Sequence, residues 1–342
     1  MIAQPLFKKP AASAAQPGYN RPGDWLALPD MSATEGVAGL YAVWNHDSNF
    51  VAFTVAGAFD VDWGDGTTES YASGATAEHN YDWADLSSTT LTSRGYRQAI
   101  IQITPQSGAS ITSLNLNVKH STAGLVSGGS TGWLDAEINI PNSSSSSIFT
   151  TGNVTHRNLE RAVVHAWAGT NYGFFFNATN LLQKVEIFAA TGKTTFSNMF
   201  NACASLQTMP LFDTSSATSF ASMFSGCTSL QSVPLFNTAL GTTFNSMFAN
   251  CRSLTHVPAL NLSSGTNLGN AFQNCTSLAR IEATGMKVSF SVANCSLSAA
   301  ALNKIYTNLA TVTGQTITVT GNYGTASDDT SIATAKGWTV TG

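Results

Sequence analysis

The stretch Phe196-Ser197-Asn198-Met199-Phe200-Asn201-Ala202-Cys203-Ala204-Ser205-Leu206-Gln207-Thr208-Met209-Pro210 decides the fold, because it returns along the chain at a fixed interval. The same anchors recur 24 residues later as Phe220, Met223, Phe224, Cys227, Leu230, Val233 and Pro234. They recur again as Phe244, Met247, Phe248, Cys251, Leu254, Val257 and Pro258. A weaker copy holds Leu268, Ala271, Phe272, Cys275, Leu278 and Ile281, and a degenerate opening copy holds Tyr172, Phe175, Phe176, Thr179, Leu182 and Val185. Such a period means stacked units, each unable to bury its apolar side alone. Phe, Met, Phe and Cys at i, i+3, i+4 and i+7 trace one helical stripe. The Ser-Leu-x-x-Val-Pro segment after it reads as a short extended piece ended by proline. The expectation is a right-handed solenoid whose coils each pair a short helix with a short strand. Its core would be Phe200, Cys203, Leu206, Phe224, Cys227, Leu230, Phe248, Cys251, Leu254, Phe272, Cys275 and Leu278.

The five cysteines, Cys203, Cys227, Cys251, Cys275 and Cys295, follow this repeat. No CxxC pair exists, so zinc and thioredoxin-like chemistry lack their basic spacing. One thiol per coil reads as a small buried hydrophobe. Stacked coils bring successive thiols near one another, but parallel side chains do not reach the torsion near 90° that a disulfide needs. Reduced thiols are therefore expected. After Cys295 the period breaks into a cap. Ser298 is placed to N-cap a helix carrying Leu302, Ile305, Tyr306 and Leu309, and β-like stretches follow at Thr316–Thr320 and Trp338–Val340. Leu159–Val164 reads as the opening strand.

The repeat resembles the BspA-like leucine-rich repeats of bacterial surface proteins and of some phage structural proteins. The ending, from Asn294-Cys295-Ser296-Leu297-Ser298 to Gly337-Trp338-Thr339-Val340-Thr341-Gly342, is similar to the close of phage-encoded versions. The resemblance implies a leucine-rich-repeat solenoid over 158–342 and leaves the binding partner open.

In the first half the pattern changes to period-two strands. Phe50–Val55, Tyr96–Thr104 and Ile111–Val118 read as strands, and Asp65-Gly66 is a tight-turn signal. Short strands at this spacing suggest an antiparallel sandwich over 35–120. The run Val61-Asp62-Trp63-Gly64-Asp65-Gly66-Thr67, followed by His79-x-Tyr81, resembles a PKD domain, an immunoglobulin-like module of surface proteins. Asp60, Asp62 and Asp65 invite a calcium reading, yet they lack the alternating ligands and closing Glu of an EF-hand loop. Asp65 as a turn former, Trp63 as core and His79 as a hydrogen-bonded structural residue is the plainer reading. No cofactor is implied.

Residues 1–34 carry prolines at 5, 10, 17, 22 and 29 and read as an extended arm. Its Leu6, Phe7, Tyr19, Trp25 and Leu26 are expected to need a neighbouring subunit to cover them. Residues 121–157 read as a linker whose Trp133–Ile140 belongs to either neighbour as a strand.

Only 10% of the 342 residues are charged while 43% are hydrophobic, with a net charge of −4. The exterior must be built from Ser, Thr, Asn and Gly. That balance supplies no basic stripe for nucleic acid, and no apolar run reaches the roughly 20 residues of a membrane helix. No export signal is read at Met1–Pro10. An outdoor surface without one suits a phage particle: virion localisation, multicopy display, other virion proteins as partners through the arm, and a host-surface glycan or protein receptor for the solenoid. Tail fibre or appendage is the first expectation. A capsid or tail decoration protein, or a bacterial surface adhesin, is the alternative. A capsule-degrading glycosidase would need two carboxylates roughly 5–10 Å apart. Glu160, Glu186, Asp213 and Glu282 occupy unlike repeat positions, and no GxSxG, HExxH, P-loop or Rossmann fingerprint occurs. A non-enzymatic protein is expected.

Overall fold

The computed structural model describes residues 19–342 apart from 47–48, 117, 119, 122–131, 144–147, 149, 152–153, 156–157 and 174. The fold is mainly β, with a solenoid of about eight turns and few helices. The first half supplies β1 (Gly36–Val43), β2 (Phe50–Ala56), β3 (Phe59–Asp62), β4 (Thr68–Tyr71), β5 (Thr76–Asn80), β6 (Arg97–Pro105), β7 (Ser113–Asn115) and β8 (Trp133–Ile140). A two-residue pair, β9 (Thr150–Thr151) and β10 (Val154–Thr155), precedes β11 (Arg161–Trp167) and β12 (Lys184–Ile187).

Two sheets organise this half. β5-β2-β7 form one, and β12-β11-β8-β1-β6-β3-β4 form a larger one. They share a core in which the Phe53 ring of β2 lies 6.3 Å from Phe59 and 5.5 Å from Trp63. β1 is buried along its whole length. One face, with Val37, Tyr41 and Val43, meets the main core; the other, with Leu40 and Ala42, packs with Trp25, Tyr96 and Leu134. Gly39 is required inside it, since a Cβ there would stand 2.1 Å from the Trp133 ring.

β8 is the joint of the molecule. It pairs antiparallel with β1 and parallel with β11, and β11 pairs parallel with β12. The segment read as a linker therefore carries a strand inside the large sheet, and the first solenoid strands extend the same sheet. Residues 19–34 also differ from expectation. Trp25 is covered by this chain rather than by another subunit, and its indole N–H donates to the Tyr96 hydroxyl at 2.7 Å. Leu6 and Phe7 lie outside the described residues.

The solenoid core contains the expected ladder. Phe176, Phe200, Phe224, Phe248 and Phe272 stack ring on ring at 5.6, 5.7, 5.7 and 6.0 Å. Cys203, Cys227, Cys251, Cys275, Leu206, Leu230, Leu254 and Leu278 are fully buried beside them. The helical stripe, however, is not a helix. Residues 196–203 form overlapping tight turns: the N–H groups of Met199, Asn201 and Cys203 donate to the carbonyls of Phe196, Asn198 and Phe200. The alternate N–H groups, of Phe196, Asn198, Phe200 and Ala202, donate instead to Ser219, Ala221, Met223 and Ser225 of the next coil. An α-helix would consume those donors internally and leave the coils joined by side chains alone. Positive φ at Asn198, Ala202, Ser222, Ser246, Asn250, Asn270 and Asn274 sets the required turn geometry. Asn tolerates that region better than most residues, which explains its frequency there.

Strands are short for a related reason. β13 (His256–Val257) pairs with β14 (Arg280–Ile281), while Pro210, Pro234 and Pro258 stand where β12 has Glu186 and supply no N–H to a ladder. Elsewhere threonine maintains the stack. The N–H and hydroxyl of Thr194, Thr218, Thr242 and Thr266 each reach the carbonyl 24 residues earlier.

β15 (Phe290–Ser291), α1 (Ala299–Asn308), β16 (Gln315–Thr318), α2 (Ser331–Thr334) and β17 (Trp338–Thr341) close the array. Leu302, Ile305 and Tyr306 of α1 face inward, and the Ser298 hydroxyl accepts from the Ala301 N–H at 3.3 Å. Ser298→Ala is expected to cost about 1 kcal/mol, read as a lower urea midpoint. A change indistinguishable from zero would mean that α1 is held by packing alone. Among the described residues no helix is long and apolar enough to cross a membrane.

Candidate functional site

Alternation along β8 sorts its residues by face. Ala136, Ile138 and Ile140 enter the main core, so Asp135, Glu137 and Asn139 fall on the opposite face. There the neighbouring β11 presents Arg161 and His165, and the segment 19–32 crosses above. Asp135 is fully buried and accepts from Arg21 Nε and Arg161 Nη1, both at 2.8 Å. Glu137 accepts from Arg161 Nη2 at 2.7 Å and meets His165 Nε2 at 2.6 Å. Arg21 also donates to the carbonyls of Trp25 and Leu26. The guanidinium thus ties the crossing segment to the sheet, and Asn139 adds a bond to the Met31 carbonyl at 2.7 Å. Arg94 pairs with Glu160 beside this network.

Between the crossing segment, β11 and β12 lies a cavity of about 820 Å³, a volume suited to a small ligand. Glu137, Arg161, His165, Glu186, Phe188 and Lys193 line it with Trp167. Glu137 and Glu186 both stand level with Val163, one strand to either side. Their Cα atoms are therefore about 10 Å apart at ordinary strand spacing. A paired-carboxylate hydrolase needs one carboxyl that stays protonated near neutral pH. Glu137 is driven the other way: burial opposes its charge, yet His165 and Arg161 hold it below the usual carboxylate range. Glu186 is engaged by Lys184 at 3.1 Å. The arrangement is better built to accept hydrogen bonds than to deliver a proton.

The residues nominated from sequence fall elsewhere. The Phe, Cys and Leu ladder is interior. Asp60 accepts from Ser70 and Gln106, and Asp62 caps the Gly64 N–H. Asp65 accepts from Thr67 and meets His79 Nε2 at 2.7 Å. The His79 ring stacks on Trp63 at 4.7 Å, and the Tyr81 hydroxyl donates to the Trp63 carbonyl. The three aspartates thus make separate structural bonds, and among the described residues no group of three His, Cys, Asp or Glu is placed to hold a metal. Of the four repeat-region carboxylates, Glu186 alone lines the cavity; Asp213 caps Ser215 and Glu282 pairs with His256. Glu137, Arg161, His165 and Lys193 were not singled out from sequence. The polar alternation Asp135-x-Glu137-x-Asn139 inside an apolar strand was the available signal, whereas nothing local marks Lys193.

Comparison with known proteins touches the coils alone. Residues 170–283 match the family described as Mycoplasma protein of unknown function, DUF285. No curated protein and no solved structure matches the chain.

Proposed function

We propose that the chain is a non-enzymatic structural component of a phage particle, a tail fibre or surface appendage that presents its solenoid to the host surface. The observation that carries this reading is the coil-to-coil hydrogen-bond ladder finished by an almost uncharged exterior. The coils opening at Phe196, Phe220 and Phe244 are each bonded to the next through alternate amides, as in Phe196–Ser219 and Phe220–Thr243, so the array suits a stiff projecting element. Rows such as Thr194, Thr218, Thr242 and Thr266 offer many short hydroxyls and little charge. Such a surface supports weak, multivalent contact with glycans rather than long-range steering. The interlocked Trp63, Asp65, His79 and Tyr81 support a PKD-like, immunoglobulin-like assignment for the first half. The core pattern of the coils supports a BspA-like leucine-rich-repeat origin, even without the coil helix. Anchoring is assigned to residues 1–18, which lie outside the described residues, from their prolines and apolar side chains.

Leu211 and Leu235, one coil apart, are 67% and 58% exposed. This apolar ridge favours a second reading, a decoration protein packed against a neighbour without receptor binding. Mass spectrometry of purified particles should find the chain at stoichiometric occupancy. The full chain, displayed multivalently, should bind host cells and lose that binding when surface glycans are stripped. Its absence from particles would sink the virion reading; presence with no glycan-dependent binding would select decoration.

A further inference from the structure

We propose that the cavity beneath the crossing segment binds an acidic sugar, with the Lys193 ammonium holding its carboxylate and Phe188 supporting its ring. Lys193 is 5% exposed and lines the cavity. Among the described residues its one hydrogen-bond acceptor is the Trp167 carbonyl, 2.6 Å from Nζ, and the Tyr172 ring lies 5.6 Å away. No carboxylate comes within ion-pair distance of it among those residues. An ammonium has three N–H donors, so two are left without an acceptor among the described residues. Buried donors of this kind call for an acceptor. Two ammonium donors with no carboxylate within ion-pair distance among the described residues select a ligand group that brings both negative charge and lone pairs.

The rest of the cavity narrows the class. Phe188 is 41% exposed and its ring lies parallel to His165, with centroids 5.7 Å apart. One aromatic face is thereby held in place for an apolar sugar face. Glu137 and Glu186 can only accept hydrogen bonds when ionised, which suits sugar hydroxyls. Together with Asp30, which also lines the cavity, these carboxylates repel a dianion, so a single carboxylate fits Lys193, the lining cation without an ion pair among the described residues, better than phosphate does. Burial also holds the Lys193 amine below its ordinary value, and an incoming carboxylate would offset that penalty.

This inference deepens the attachment reading by naming a pocket, but its test is independent of particles and cells. Calorimetric titration of the full chain would use sodium glucuronate, sodium N-acetylneuraminate, glucose and inorganic phosphate. One of the two acids should bind at least about tenfold more tightly than glucose and phosphate, a preference that Lys193→Met should remove and Lys193→Arg should keep. Should Lys193→Met not fold, Phe188→Ala, at a half-exposed position, should weaken both acid and glucose binding several-fold. Equal affinity for glucose, preference for phosphate, no heat with either acid, or acid binding unchanged in Lys193→Met (in Phe188→Ala, should Lys193→Met not fold) overturns the proposal. Failure here leaves the particle and cell assays standing, and failure there leaves the isotherm standing.

Discussion

Asp135→Ala is expected to lower stability by about 3–5 kcal/mol, the range for removing one member of a buried ion pair. Its carboxylate is fully buried and joins Arg21 to Arg161, each at 2.8 Å. Loss of the carboxylate leaves Arg161 with Glu137 alone and leaves the Arg21 fork anchored to backbone carbonyls of its own segment. Replacing Asp135 by a hydrophobic residue of similar volume gives no relief, because both guanidiniums stay behind. Two readouts separate local from global effects. Urea unfolding measures the stability change, and limited proteolysis reports release of residues 19–32 from the sheet. A loss below about 1 kcal/mol, within the range of an exposed pair, would show that Trp25 and its bond to Tyr96 hold the segment unaided.

The second large effect is alkaline unfolding. The thiols of Cys203, Cys227 and Cys251 donate to the carbonyls of Phe176, Phe200 and Phe224 at 3.1, 3.0 and 2.9 Å. Burial pushes Cys203 and Cys251 up to about 12 and Cys227 well above its ordinary value. An unfolded thiol titrates near pH 8.5, so between roughly pH 9 and 12 the unfolded chain has lost protons that the folded chain retains. Stability then falls as pH rises, by about 1.4 kcal/mol per pH unit for each such thiol and about 4 kcal/mol for the three. Below pH 8 the contribution is complete. Buried Tyr41, Tyr81 and Tyr172, also raised by burial, steepen the decline above pH 10. Thermal melts should therefore be level between pH 7 and 8 and drop sharply from pH 9 to 10.5. The five cysteines are free and buried. Thiol titration without reductant should accordingly find almost none reactive in the native protein and five after unfolding. A flat melting temperature through pH 10.5, or one reactive thiol after unfolding, contradicts the interior thiol ladder.

What the sequence determined by itself was membership of the interior. Phe200, Cys203 and Leu206 recur every 24 residues, and burial of a repeating apolar set needs no knowledge of the backbone that presents it. The cap was legible for the same local reason: Ser298 and the spacing of Leu302, Ile305 and Tyr306 act within one helix. The backbone path of the coil was not legible. Phe and Met at helical spacing satisfy a helix as well as a turn, and the choice rests on amides such as Phe200 N–H bonding to Met223 in another coil. The cavity was further out of reach. Asp135 meets Arg161 across 26 residues and Arg21 across 114, contacts made when the crossing segment settles on β8 and β11. Lys193 looks like an ordinary loop lysine until β11 brings the Trp167 carbonyl to its amine. Hydrophobic burial is a property of each side chain and is written locally, whereas the pairing of charges and amides depends on distances that exist only after the chain has closed on itself.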